Sequence, residues 1–435
     1  MYPILKCGSV HMQIVDLKTL FGEHPELGLI KRELQKGDRT HLLLSGLHAS
    51  ARALTLAQLD TPLFVIFDNA EAAQYLYGDL KSLEKPGQTC NSQPSIAAKI
   101  FFFPAAQRRR TIDEAAMIQR TETLSALAVT QSAKEGNSPS IIITYPEAIA
   151  EKVPAKEELS AVSVRYAAGQ EIQQSAVSNE LADLGFEQVD FVFQPGQYAI
   201  RGSIVDIYSY GHDIPYRLDF FGDEIDSIRE FDIEDQLSKA RVEAAEIVGS
   251  SNSKNGDAAL NGANGASIVD YLTEDFVWVS NDWSVVRYKS DGLGKERMSG
   301  LAEYRRTIEI NEKSSFPTHS KVAFDTLPQP IFHKQFDILT EDLKRHIEEG
   351  YTIYVLAEQQ KQLDRLKAIF EAQSDEPLTF VGINASLHEG FVDRGLKICC
   401  YTDHQIFERY HRVTMRSENA RRGKAIITLR EINQL

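Results

Sequence analysis

The stretch PGQYAIRGSIVDIYSYGHDIPYRLDFFGDEIDSIREFD, residues 195–232, decides how the middle of the chain folds. Segments rich in β-branched and aromatic residues (QYAIRGSIVDIYS, YRLDFFG, EIDSIREFDI) are broken by the turn formers PGQ, YGHD and GDE, which predicts an antiparallel meander. Within RLDFF the two-residue period of a strand sends Arg217, Asp219 and Phe221 to one face and Leu218 with Phe220 to the other. One face is then core and the other is displayed. If the preceding strand pairs alongside, Arg201 joins Arg217 and Phe221 on an exposed patch of two guanidiniums around an aromatic ring. Guanidinium forks pair with carboxylates and rings bury large areas, so these residue types commonly carry protein interfaces. Gly196 and Gly202 suit turn or bulge geometry, and Asp206, Asp219 and Asp226 are candidates to pair with neighbouring arginines.

Working outward, FEQVDFVF reads as a further strand, and a helix is expected over Glu171–Leu184 with Gly185 at its C-cap. Residues 159–248 therefore form a small α+β module. Upstream, HLLLSG, PLFVIFD, KIFFFP and SIIITYP alternate with amphipathic runs such as EAAQYLYGDLKSL between residues 41 and 150. That is a βαβ rhythm whose strands lack polar alternation, as in a parallel sheet covered on both faces, and it assigns 1–158 to a doubly wound α/β domain. Phe101–Phe103 reads as a buried strand, and Trp278 and Trp283 as packing residues. The Gly, Asn and Ser-rich stretch 249–267 reads as a loop or linker. From Phe336 a last small α/β unit is expected to 408, with helices in TEDLKRHIEEG and EQQKQLDRLKAIFEA and strands in YTIYVLA, LTFVGI and LKICCYT. Residues 409–430 carry seven Lys or Arg against the single acid Glu418, so 409–435 reads as a basic linker.

At 435 residues the chain should hold two to four domains, and 43% apolar with 25% charged residues is an ordinary globular composition. Lys and Arg total 47 against 62 Asp and Glu, a net charge of −15 that argues against a surface built mainly to neutralise phosphates. Arg108, Arg109 and Arg110 are the local exception, a candidate DNA contact weighed against a plain solvent-facing run. Cys7, Cys90, Cys399 and Cys400 form no CxxC pair, so neither a disulfide framework nor a zinc site is expected and a reducing, cytoplasmic setting fits. The N-terminus lacks signal-peptide features and no apolar run reaches membrane-spanning length, so no membrane partner is expected.

The first strong strand runs into GLHASARA, Gly46–Ala53, where a nucleotide-binding α/β domain would carry its phosphate loop. The second glycine of that motif is replaced by Ala51, the phosphate-contacting lysine by Arg52 and the Mg²⁺-binding hydroxyl by Ala53. Arg52 keeps a positive charge, but without the hydroxyl there is no route to hydrolysis. GxSxG, HExxH and GxGxxG are absent as well, so no catalytic residue, cofactor or metal is expected. The tripeptide HEG at 388–390 carries no signal of its own.

The composite run Tyr198, Arg201, Gly202, Asp206, Ile207, Tyr208, then Pro215, Tyr216, Arg217, Leu218, Asp219, Phe220, Phe221, Asp223, Glu224, Ile225, Asp226 and Ile228 resembles the N-terminal part of the bacterial transcription-repair coupling factors, the Mfd family. The second domain of that family is similar to the UvrA-binding domain of the excision-repair protein UvrB. The resemblance implies a UvrB-like α/β domain with a degenerate nucleotide loop, an inserted UvrA-binding α+β domain, residues 249–335 completing the first domain, and a small third α/β domain. It also implies that Arg201, Arg217 and Phe221 contact UvrA, while RNA polymerase and DNA are engaged by family domains beyond Leu435. In the family a C-terminal domain masks the UvrA-binding face, so a chain without it is expected to bind UvrA constitutively. The function so implied is a non-catalytic adaptor of transcription-coupled nucleotide excision repair. The alternative is a DNA-dependent ATPase or damage-binding helicase like UvrB, against which residues 52 and 53 speak.

Overall fold

A computed structural model describes residues 12–37, 40–84, 99–108, 111–112, 114–132, 140–156, 163–212, 214–233, 235–249, 266–290, 305–373 and 378–409. It divides into two compact units: one takes the residues up to Ile100, the segment ending at Pro146 and the chain from Glu274, and the other takes Phe101–Asn137 and Glu147–Thr273.

A seven-stranded sheet has the order Ser320–Ala323, His41–Ser45, Thr307–Ile310, Val277–Ser280, Leu63–Ile66, Ser140–Thr144, Lys99–Phe102. The pairings from Ser320–Ala323 through to Ser140–Thr144 are parallel. Leu63–Ile66 and Val277–Ser280 are buried along their whole length, as central parallel strands covered on both faces must be, which is why LFVI and VWVS lack polar alternation. Trp278 and Trp283 are both buried, as their sequence context predicts; of the expected buried strand Phe101–Phe103, Phe102 and Phe103 are buried, Phe101 is half-buried and the strand ends at Phe102. The same unit holds a five-stranded sheet, ordered Thr326–Pro328, Phe391–Asp393, Ile398–Thr402, Thr352–Leu356, Val381–Ile383, with helices Phe336–Glu348 and Gln360–Gln373. Its first strand lies some ten residues ahead of the expected start at 336. Thr326–Pro328 pairs with Phe391–Asp393 and so belongs to this sheet, although the sequence shows only a short polar strand ending in proline there.

The other unit is built on a six-stranded sheet ordered Ser238–Val242, Glu224–Phe231, Tyr216–Phe221, Ile204–Tyr208, Gln197–Arg201, Glu187–Gln188. Its hairpin pairings are antiparallel, as the turn spacing predicts, but the first strand is two residues long and runs parallel to its neighbour, so most of FEQVDFVF is not strand. One sheet face packs Tyr198, Val205, Ile207, Leu218, Phe220 and Ile228 against Val177 and Leu181. Those two side chains anchor the helix Gln174–Asp183. Ten residues are marginal as an isolated helix, and each buried Val or Leu contributes roughly 1.5–3 kcal/mol toward holding it. The first domain, expected over 1–158, is divided differently by the contacts. The helix Glu114–Ser132 packs on the 3₁₀ turn Ile268–Tyr271, and the Tyr271 hydroxyl donates to the Pro154 carbonyl at 2.7 Å, so this segment clusters with the antiparallel sheet. The side chains of Arg108, Arg109 and Arg110, the linker residues 250–265 and the basic segment 410–435 lie outside the described residues.

Candidate functional site

The register of the six-stranded sheet places Asp206 directly opposite Arg217, and Arg217 opposite Arg229. Facing residues share a sheet side, so Arg217, Asp219 and Phe221 project away from the helix-covered core, where Arg201 and Asp206 join them. A bulge opposite Asp219 and Phe220 leaves Asp226 as the extra residue of the Glu224–Phe231 strand, which keeps the alternation of 217, 219 and 221 intact. Arg201 and Phe221 each precede a two-residue hairpin turn that begins with glycine, Gly202 and Gly222, at φ +60° and +65°. Positive φ at the first turn position is what the twist of a tight hairpin demands, and glycine reaches it without strain.

The two arginines converge on one buried carboxylate. Arg217 grips Asp206 with both arms of its fork, Nε to Oδ1 at 2.7 Å and the terminal nitrogen to Oδ2 at 3.0 Å, and donates its other nitrogen to the Gln236 carbonyl at 3.0 Å. Arg201 donates to Asp206 Oδ2 as well. Each guanidinium also lies over a ring, Arg201 4.6 Å from the Phe191 centroid and Arg217 4.5 Å from that of Phe231. The Asp206 pairing raises the Arg217 pKa above its ordinary value. Arg217 retains only 12% of its side-chain exposure and Arg201 33%, whereas Phe221 is 83% exposed at the hairpin tip. The expected patch of two free guanidiniums around a ring is thus corrected. Asp206 is fully buried and needs cationic partners, so it draws both arginines inward and leaves Phe221 as the prominent projection. Asp219 pairs with Arg229 at 3.3 Å, and Arg241 donates to the Asp226 backbone carbonyl.

The loop Gly46–Ala53 is closed by its own chain. The amides of Gly46, His48 and Ser50 donate to Glu312 Oε1, Thr326 Oγ1 and the Glu389 carbonyl at 3.0, 2.8 and 3.3 Å. In return the Glu389 amide donates to Ser50 Oγ at 2.9 Å, and Ser50 Oγ and the His388 amide both donate to Asp79, each at 2.6 Å. His388 stacks on Tyr75 with ring centroids 3.3 Å apart. Arg52 turns back to donate from Nε to the Leu47 carbonyl at 3.2 Å, and burial lowers its pKa. These amides are the groups that would cradle a phosphate, and they are already bonded within the protein. Burial raises the Asp79 carboxyl to about 7, against the opposing effect of its two hydrogen bonds. Gly46 has φ +66°, and an added Cβ would stand 2.1 Å from the Phe324 carbonyl oxygen. Gly46→Ala is therefore expected to destabilise this unit by about 2 kcal/mol or more, read from its chemical unfolding midpoint.

Sequence reading left three features out. Asp206 stood only as an open pairing candidate, and its signal was an acid inside the apolar strand IVDIY. Asp79 sits beside the buried stripe Leu76, Leu80 and Leu83 of the helix Ala70–Glu84, a visible anomaly. The HEG tripeptide offered no signal, since its importance comes from docking onto Ser50 and Asp79, far away in the chain. Among the described residues no His, Cys, Asp and Glu cluster could hold a metal ion, and no helix is long and apolar enough to cross a membrane.

An antiparallel sheet bearing a carboxylate-clamped arginine pair, within a multidomain α/β chain built on a parallel seven-stranded sheet, defines the class. Residues 164–252, the stretch that holds the antiparallel sheet, match the UvrB interaction domain. The chain is homologous to the transcription-repair coupling factors over much of its length. It is 28% identical over 227 residues to the transcription-repair-coupling factor of Bacillus subtilis, covering 51% of this chain and 18% of that one. To the factor of Staphylococcus aureus (strain bovine RF122 / ET3-1) it is 21% identical over an aligned length of 491 residues, covering 91% and 40%. UvrABC system protein B of Streptococcus uberis is similar too, 28% identical over 235 residues, covering 52% and 34%. The chain spans less than half the length of these curated relatives.

Proposed function

We propose that this chain is the UvrB-homology module of a transcription-repair coupling factor, a non-catalytic adaptor that recruits UvrA through the sheet face that carries Arg201, Arg217 and Phe221. The observation that carries the reading is the convergence of Arg201 and Arg217 on Asp206 with Phe221 projecting beside them, inside the segment matched by the UvrB interaction domain. The clamp fixes two guanidiniums in one geometry while leaving some of their N–H groups for acceptors on a partner, and a rigid exposed ring supplies a hot-spot anchor. In this reading the seven-stranded domain is UvrB-like with a degenerate nucleotide loop, since Ala51, Arg52 and Ala53 replace the motif residues and the loop's Gly46, His48 and Ser50 amides are taken by Glu312, Thr326 and the Glu389 carbonyl. A role without ATP turnover, in a cytoplasmic repair pathway, accords with this.

The test is a calorimetric titration of the chain with UvrA, with ATP hydrolysis followed in the same samples. Phe221→Ala should weaken binding by about a hundredfold while shifting stability by less than about 0.5 kcal/mol, because the ring is exposed. Undiminished binding by Phe221→Ala would overturn the assignment of the face, and nucleotide turnover by the chain would overturn the non-catalytic reading.

A further inference from the structure

The antiparallel unit exposes two large apolar side chains among its described residues, Phe221 at 83% and Leu237 at 64%. Leu237 directly follows Gln236, the residue whose carbonyl accepts from Arg217, and so borders the arginine clamp at the sheet end opposite the Phe221 hairpin. Gln236 itself is held at φ +61°, and its side-chain amide donates to the Ile233 carbonyl at 2.9 Å, while the Asp232 amide donates to the Leu237 carbonyl at 2.9 Å. The backbone thus presents Leu237 from a bonded turn.

Between the two apolar projections runs a row of like charges. Arg217, Arg229 and Arg241 sit directly opposite one another on three adjacent strands. Like charges directly opposite across a sheet are destabilising, and neighbouring strands bring them to within about 5 Å in the pairing direction. With Arg201 the group has four guanidiniums, and among the described residues Asp206 and Asp219 are the carboxylates paired to it, so Arg241 has no ion-pair partner there. Arg229 retains 44% of its side-chain exposure, and Arg241 is exposed. A partly paired cationic row with an apolar group at each end suits a surface that brings carboxylates to the middle and apolar hollows to the ends.

Resting on the UvrA reading above, we infer that the docking face extends from Phe221 across Arg229 and Arg241 to Leu237, and that it receives an acidic stretch of the partner protein flanked by two apolar contacts. Leu237 is a second anchor. The arginine row supplies charge steering and register.

The experiment titrates the full chain with UvrA across a range of salt concentrations, comparing wild type, Phe221→Ala, Leu237→Ser and the double variant Arg229→Ala/Arg241→Ala, with thermal unfolding of each. Leu237→Ser should weaken binding about tenfold. The arginine pair should weaken it by a similar factor, slow association and flatten the dependence on ionic strength, an effect that a purely structural role would not produce. The unfolding midpoint of the arginine double variant should stay close to the wild-type value, since relief of the opposed like charges offsets the loss of the exposed Arg229–Asp219 pair. Loss of binding in Phe221→Ala, with Leu237→Ser and the arginine pair both within twofold of wild type at every salt concentration, overturns the extension while leaving the assigned face standing. If Phe221→Ala binds like wild type, the underlying reading fails and the extension falls with it.

Discussion

Asp206→Ala is expected to destabilise the antiparallel unit by about 3 kcal/mol, the lower end of the range for removing one partner of a buried ion pair. The carboxylate is fully buried and accepts from two guanidiniums, and Arg217 at 12% side-chain exposure has little water with which to replace it. Arg201, a third exposed, recovers part of its loss by hydration, which keeps the figure from the upper end. Trp278 and Trp283 belong to the other unit, so their fluorescence does not report this transition. Hydrogen exchange in the Ile204–Tyr208 and Tyr216–Phe221 strands is the appropriate measurement. Replacing Asp206, Arg201 and Arg217 together with apolar residues should recover most of the stability and still lose the partner, since an ion pair can exchange for packing but not for recognition. A loss below about 1 kcal/mol in Asp206→Ala would show the clamp to be solvated.

The second large effect is a pH dependence carried by Asp79. Its folded pKa is raised by burial to about 7 from an ordinary 3.8, so between pH 4 and 7 the unfolded chain has released a proton that the folded chain keeps. The unfolded state then binds fewer protons, and stability falls as pH rises through that window and levels off above it. Three pKa units correspond to about 4 kcal/mol at most. Glu389 adds to the shift, while Ser50 and the His388 amide oppose it. Asp79→Asn removes the ionisation, so the difference between its stability-versus-pH curve and that of wild type should carry the slope. Asp79→Ala strips acceptors from Ser50 and the His388 amide and should cost about 2 kcal/mol at pH 5, where wild type keeps the proton. Parallel curves for wild type and Asp79→Asn would refute a buried, proton-retaining carboxyl.

The interface reading was partly legible from one strand. Period-two alternation alone put Arg217, Asp219 and Phe221 on a common face, and the hairpin spacing brought Arg201 alongside. What alternation could not weigh was exposure: it assigns a side but not the charge already waiting there, and Asp206 turned two displayed arginines into a half-buried clamp. Leu237 carries no sequence signature because it lies in a turn, where no period applies.

The phosphate-loop position divides in the same way. Ala51, Arg52 and Ala53 are local facts, and the sequence by itself determined that the motif is lost, along with the parallel and antiparallel character of the two main sheets, because period and residue type are properties of neighbours along the chain. Only the tertiary structure decided what the loop does instead. Ser50, Asp79 and His388 are separated by 29 and 309 residues along the chain, and no local pattern encodes the need of a buried hydroxyl and a buried carboxyl for donors and acceptors supplied from so far away.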